Sequence, residues 1–201
     1  VRTLAGYPAG EIQLESLKLL PGTEMRRRAE ELGIRYSPMP PYEVLETREI
    51  TADELQTARQ LSRLLDGFYN TGITRQLIVD HEDFLHKMLD YLIELRVIDQ
   101  PLGLERRGII LYEFCQKYYP DYTCAVSRAW IEAGMSLKKQ PAERVRTKHV
   151  TPPEQWTVCF GTYHEGLRLC LLPGENSGIT YWYGFETENQ ASKPVFKATA
   201  P

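Results

Sequence analysis

Four cysteines, Cys115, Cys124, Cys159 and Cys170, are the side chains in this 201-residue sequence best suited to holding a metal or attacking an electrophile. Metal motifs usually place at least one ligand pair about two to four residues apart, and a nucleophilic thiol needs a base within hydrogen-bond reach. Here eight residues separate the first pair and ten the last, so no pair has close metal-ligand spacing and no metal is expected. Cys159 and Cys170 could face each other across a hairpin, where they would bind a metal or oxidise; buried thiols acting as small hydrophobes are the alternative. In HEDFLH, His81 and His86 lie five apart, off the shared face of an i, i+4 pair, and read as solvent-facing residues at a charged helix start. No GxSxG, P-loop or dinucleotide fingerprint occurs. Tyrosines are the richer group. Tyr36 and Tyr42 flank a proline-rich loop, Tyr118, Tyr119 and Tyr122 cluster at a helix end, and Tyr181 and Tyr183 flank Trp182. Rings with polar tips suit either ligand walls or packing between subdomains.

Composition excludes several classes. Hydrophobic residues make up 42% and charged residues 25%, enough for one sizeable core in a soluble protein. A net charge of −3 and a pI near 5.9 argue against nucleic acid or an anionic membrane as partner. MRRRAEELG is basic over one helical turn only and reads as a solvated face. No run approaches the roughly 20 apolar residues of a membrane span, and the first residues lack the layout of a secretory signal. Four scattered cysteines suit reduced thiols, so a cytoplasmic location is expected.

The elements that must position these residues read as follows. A strand is predicted over Glu11 to Leu19, ended by Pro21-Gly22. Thr23 caps a helix that stops at Gly33, and SPMPP, within residues 35–41, is extended. Thr51 to Glu54 is a capping box with Ile50 as its staple, opening a helix with Leu55, Ala58, Leu61, Leu64, Leu65 and Phe68 on one face and a stop at Gly72. Asp80 caps a helix carrying Phe84, Leu85, Met88, Leu89, Leu92 and Leu95; Pro101 sits near the start of another with Ile109, Ile110, Tyr112, Phe114 and Cys115 inward or nearly so; Asp121 opens a last one with Ala125, Ala129, Trp130 and Ala133 that stops at Gly134. After a polar stretch, strands are predicted over Trp156 to Thr162, Leu167 to Leu172 and Ile179 to Glu186, with turns at 164–166 and 173–178. The fold class is mixed α+β, mainly α: a helical domain with an N-terminal strand and a C-terminal antiparallel meander. The expected domains are 1–34, 35–135 with the proline loop and helices, a linker at 136–155, and the meander at 156–201.

The first strand has no evident partner before about residue 156, and a lone strand leaves its backbone groups unsatisfied. Partner strands are therefore expected upstream of Val1, and self-association through the unpaired strand is expected without them. LKLLPGTEMRRRAEELGI, YSPMPPYEVLET and YNTG at Tyr69 to Gly72 carry a resemblance over roughly residues 10–95. They resemble the region that closes the catalytic barrel, and the domain after it, in cobalamin-dependent radical SAM proteins of the kind often labelled magnesium-protoporphyrin IX monomethyl ester oxidative cyclase.

The resemblance implies that residues 1–34 are the last barrel strand and helix. It places the CxxxCxxC iron-sulfur cluster, S-adenosylmethionine and cobalamin upstream, leaving no catalytic residue, metal or cofactor here. The chain's partner would be that barrel, in the same polypeptide. Ile12 and Leu14 would point outward while Gln13 and Glu15 face the barrel interior; with Tyr36 and Tyr42 they are the substrate-adjacent candidates. The implied function is non-catalytic, capping the substrate end of the barrel or docking a partner, with methyl transfer or oxidative cyclisation in the parent. A stand-alone helical interaction module is the alternative. A small enzyme using the tyrosine-rich surface with a Cys-His pair is a third.

Overall fold

The computed structural model describes residues 11–69, 72–136, 138–139, 155–163, 167–173, 180–186 and 193–199, with Thr3 and Gly6 besides. Among these residues stand six α-helices and two antiparallel sheets, one of four strands, so the chain is mixed α+β as its patterning predicts. Its contacts group into two compact units, Val1–Pro101 and Leu102–Pro201. That division falls inside the segment 35–135 read from sequence as one helical domain.

In the first unit the strand predicted over Glu11 to Leu19 does not form. The segment is extended, with a single antiparallel bridge from Lys18 to Glu43. The Val44 N–H donates to the Leu17 carbonyl, and the Leu19 N–H to the Tyr42 carbonyl, each at 2.9 Å. Its partner therefore lies inside the chain, next to β2 (Val44–Glu46), which pairs antiparallel with β1 (Arg35–Tyr36). Strands of two and three residues are too short to show the period-2 pattern by which strands are read.

Helix α1 (Glu24–Arg27) opens as expected: the Thr23 hydroxyl accepts the Arg26 N–H at 3.4 Å. It holds α geometry for four residues and continues as turns to Gly33. There, at φ 65°, Gly33 donates to the Glu30 carbonyl and Ile34 to the Ala29 carbonyl, a Schellman arrangement that only a residue at ease in the left-handed region closes without strain. Leu19, Ala29 and Val44 form a small core backed by Ile34, Tyr36 and Leu55.

The capping box predicts the next helix, α2 (Ala52–Leu64), correctly. Glu54 N–H donates to the Thr51 hydroxyl at 3.3 Å and Thr51 N–H to the Glu54 carboxylate at 2.8 Å. Leu64, Leu65 and Phe68 are buried, whereas Leu55 and Leu61 are half-buried and Ala58 is exposed. The helix passes into a π turn over Leu65–Tyr69, and Gly72 starts α3 (Gly72–Asp80) where a stop was expected. Nine residues hold too few turns to declare a period, but Leu77 and Ile78 bury completely or nearly so. Asp83, not Asp80, precedes α4 (Phe84–Glu94) and makes no side-chain cap bond. Phe84, Met88, Leu89 and Leu92 line its buried face.

The second unit holds α5 (Leu104–Tyr118), a 3-10 turn at Pro120–Tyr122 and α6 (Thr123–Glu132), after which Gly134 takes φ 76° at the predicted stop. Its sheet comprises β3 (Thr157–Phe160), β4 (Arg168–Pro173), β5 (Thr180–Phe185) and β6 (Phe196–Thr199). The order is β3-β6-β5-β4, all antiparallel: β4, β5 and β6 run as a meander and β3 returns to the free side of β6. β6 has four residues and was not read from the sequence. One cluster joins Trp130 and Ile131 of α6 to Cys170, Leu172, Tyr183 and Phe185, so the helices cover the sheet. A second joins Leu167, Leu171, Trp182, Phe196 and Ala198 to Trp156 and Tyr163. Tyr183 and Trp182, adjacent on β5, thus bury on opposite faces. The predicted linker falls mostly outside the described residues, and both predicted turns almost wholly so. Among those residues no helix is long and apolar enough to cross a membrane.

Candidate functional site

The extended segment 11–19 alternates as a strand would: Ile12 is buried and Leu14 half-buried, while Gln13 and Glu15 are exposed. Gln13 donates weakly to Glu11 at 3.4 Å. Glu15 lines an open groove of about 440 Å³ between this segment and α2, together with Leu17, Glu43, Arg59 and Ser62. Side chains of α2 bond carbonyls of this segment and of β2. Ser62 Oγ donates to the Leu14 carbonyl at 2.7 Å, and Arg59 Nη2 to the Val44 carbonyl at 2.9 Å. Arg59 Nε stands 3.8 Å from Glu43 Oε2, an ion pair too long for a hydrogen bond.

Tyr36 and Tyr42 do not meet Gln13 and Glu15 in that groove. Both lie instead against Arg26, in the basic turn expected as a solvated face. The Arg26 guanidinium carbon lies 5.0 Å from the Tyr36 ring centroid and 4.9 Å from that of Tyr42. Its Nη1 donates to the Leu19 carbonyl at 3.1 Å. Tyr42 reaches this position from φ 63°, an uncommon conformation for a bulky side chain. Arg26 and Tyr36 line a cleft of about 620 Å³ with Arg27, Glu30 and Arg35. The proximity of Arg26 to both tyrosines carried no sequence signal, because the stack forms only when α1 folds back over β1 and the proline loop.

The remaining chemistry-bearing residues disperse. All four cysteines are free thiols: Cys115 and Cys170 are buried, Cys124 is intermediate and Cys159 exposed. Cys159 on β3 and Cys170 on β4 occupy opposite edges of the sheet, which corrects the facing hairpin pair; Cys170 stands opposite Tyr183 instead. Burial pushes the Cys115 thiol up to about 12, which keeps it protonated and a poor nucleophile. Among the described residues no group of three or more His, Cys, Asp or Glu could hold a metal ion. His81 is half-buried and His86 exposed.

On the sheet, Glu132 Oε1 accepts from Tyr183 at 2.9 Å and from Lys197 at 2.6 Å, and Arg128 covers the Tyr181 ring at 4.4 Å. Burial first, then the Glu132 charge and hydrogen bond, drive the Tyr183 hydroxyl far above its usual range. It is fixed as a neutral donor and joins α6 to β5 rather than transferring a proton.

No curated protein and no solved structure matches the chain. Residues 30–127 match the model of a family described as "Protein of unknown function (DUF4080)", a span that runs from the last turn before Gly33, through Tyr36 and Tyr42, to the middle of α6.

Proposed function

We propose that this chain is a non-catalytic C-terminal region of a cobalamin-dependent radical SAM enzyme, capping the substrate end of an upstream barrel in the same polypeptide or docking a partner there. The supporting observation is the way residues 14–19 are fastened to the helical unit. Leu14 is held by Ser62 of α2, Leu17 by Val44 and Leu19 by Tyr42. A barrel strand running into Glu11 would then be clamped at a fixed angle to α2 instead of swinging on a linker, which is what a cap must be. Gln13 and Glu15, both exposed, remain available to an upstream neighbour. Iron-sulfur cluster, S-adenosylmethionine and cobalamin belong to the upstream part on this reading, and the parent carries out a methyl transfer or an oxidative cyclisation in the cytoplasm.

The test is anaerobic purification of the whole polypeptide that carries these residues. One four-iron cluster and bound cobalamin per chain are expected, and reductive cleavage of S-adenosylmethionine should survive Ser62→Ala while product formation falls. A polypeptide without a CxxxCxxC segment, or a stoichiometric cluster on residues 1–201 alone, would overturn the reading and favour the stand-alone interaction module.

A further inference from the structure

We propose that the cleft beside Arg26 binds a small zwitterion, its carboxylate on the Arg26 guanidinium and its ammonium group on Glu30. The inference stands independently of any upstream barrel, because every residue it uses lies within 19–48.

Charge pairing singles out these two residues. Arg27 is held bidentately by Glu24 at 3.0 and 2.6 Å, Arg28 by Glu31 at 2.9 and 2.7 Å, and Arg35 pairs with Glu46. Among the described residues Arg26 faces no carboxylate and Glu30 no cation, although the two are only four positions apart and line the same cleft. Once the satisfied pairs cancel, the residues lining the cleft retain one positive and one negative charge, and the nearby Arg48 is turned to the Glu31 carbonyl at 2.7 Å. A bare anion would meet the repulsion of Glu30 and a bare cation that of Arg26, so a ligand carrying both charges is preferred to either ion.

Arg26 is also built to receive such a group. Two tyrosine rings, at 5.0 and 4.9 Å, and the Leu19 carbonyl hold the guanidinium in place, leaving N–H donors of the fork for a carboxylate at little further ordering cost. Tyr42 adopts its left-handed conformation where its ring completes the stack, and backbone strain of this kind gathers at ligand clamps. At about 620 Å³ the cleft suits a small molecule, with the Tyr36 ring available to its hydrocarbon part.

The test follows the amide shifts of Gly33, Ile34 and Tyr36 in the 201-residue chain by NMR. Free glycine, 4-aminobutanoate, acetate and methylammonium are titrated at constant ionic strength. One of the two zwitterions should saturate at a concentration at least about tenfold below acetate or methylammonium. Arg26→Gln should abolish saturation, and Arg27→Gln should leave it unchanged. Glu30→Gln, at an exposed position that the fold does not need, should erase the preference and bring acetate level with the zwitterion; it decides the matter if Arg26→Gln fails to fold. Acetate binding as tightly as both zwitterions to the unaltered chain, saturation by neither zwitterion, or an equal loss in Arg27→Gln would overturn the proposal.

Discussion

The two units hold themselves together by different means. In the first, residues 11–19 and 33–46 form almost no ladder, so many carbonyls would go without a donor. Side chains supply it: Arg26 to Leu19, Arg48 to Glu31, Arg59 to Val44 and Ser62 to Leu14, at distances of 2.7 to 3.1 Å. In the second, four strands pair with one another, and the side chains are free to pack. Trp130, Tyr183, Phe185 and Phe196 are among its largest fully buried residues. Regular backbone pairing thus releases side chains for apolar packing, whereas irregular backbone commits polar side chains to closing it. The open groove beside Glu15 and the cleft beside Arg26 both border this irregular backbone of the first unit.

The largest effect should come from removing an apolar anchor of the second unit. Trp130 is 1% exposed, and Trp130→Ala should cost about 3–5 kcal/mol, read as lost hydrogen-exchange protection in β4 and β5. A loss below about 1 kcal/mol would mean that the aromatic cluster does not hold that unit. In the first unit Leu64, at 1% exposure, should lose about 2–5 kcal/mol as Leu64→Ala, and the half-buried Leu61 roughly half as much. Equal losses at the two positions would show that Leu61 is covered by something the groove leaves out. Gly108→Ala tests packing from the other direction. A Cβ there would stand 2.5 Å from the Trp130 ring, so the indole must move, at about 1–3 kcal/mol.

Smaller effects probe the polar joints. Ser62→Ala removes the donor to the Leu14 carbonyl and should cost about 1 kcal/mol. If residues 12–16 exchange no faster in that variant, the side-chain staple is not what orders them. The Glu54 carboxyl is lowered from 4.5 by the Thr51 N–H first and then by its hydroxyl. Its folded value lies below its unfolded one, so its contribution is complete above pH 4.5 and fades as pH falls through the folded value. Glu54→Gln, which removes the titrating carboxyl, should flatten the acid side of the stability curve for α2 as measured by hydrogen exchange. An unchanged slope would exclude the capping box as its source.

Local chemistry was readable wherever a few adjacent residues decide the outcome. Thr51 and Glu54 announced α2, Gly33 and Gly134 announced stops, and Leu64, Leu65 and Phe68 announced a buried face, because caps and helical periods act within one or two turns. The mixed α+β class followed from the change of period after residue 155. Tertiary structure alone decided the rest. The in-chain partner of residues 17–19 is the segment 42–44 leading into a three-residue strand, and β6, with four residues, pairs β3 to the meander; neither is long enough to show its period. Gly72 suits a helix stop by residue type alone, yet it opens α3. The sequence allows Cys159 and Cys170 to face each other across a hairpin, whereas strand order sets them at opposite edges. Arg26 acquired its place between Tyr36 and Tyr42 only through the folding of α1 over the proline loop, a contact across ten and sixteen residues that no local pattern encodes.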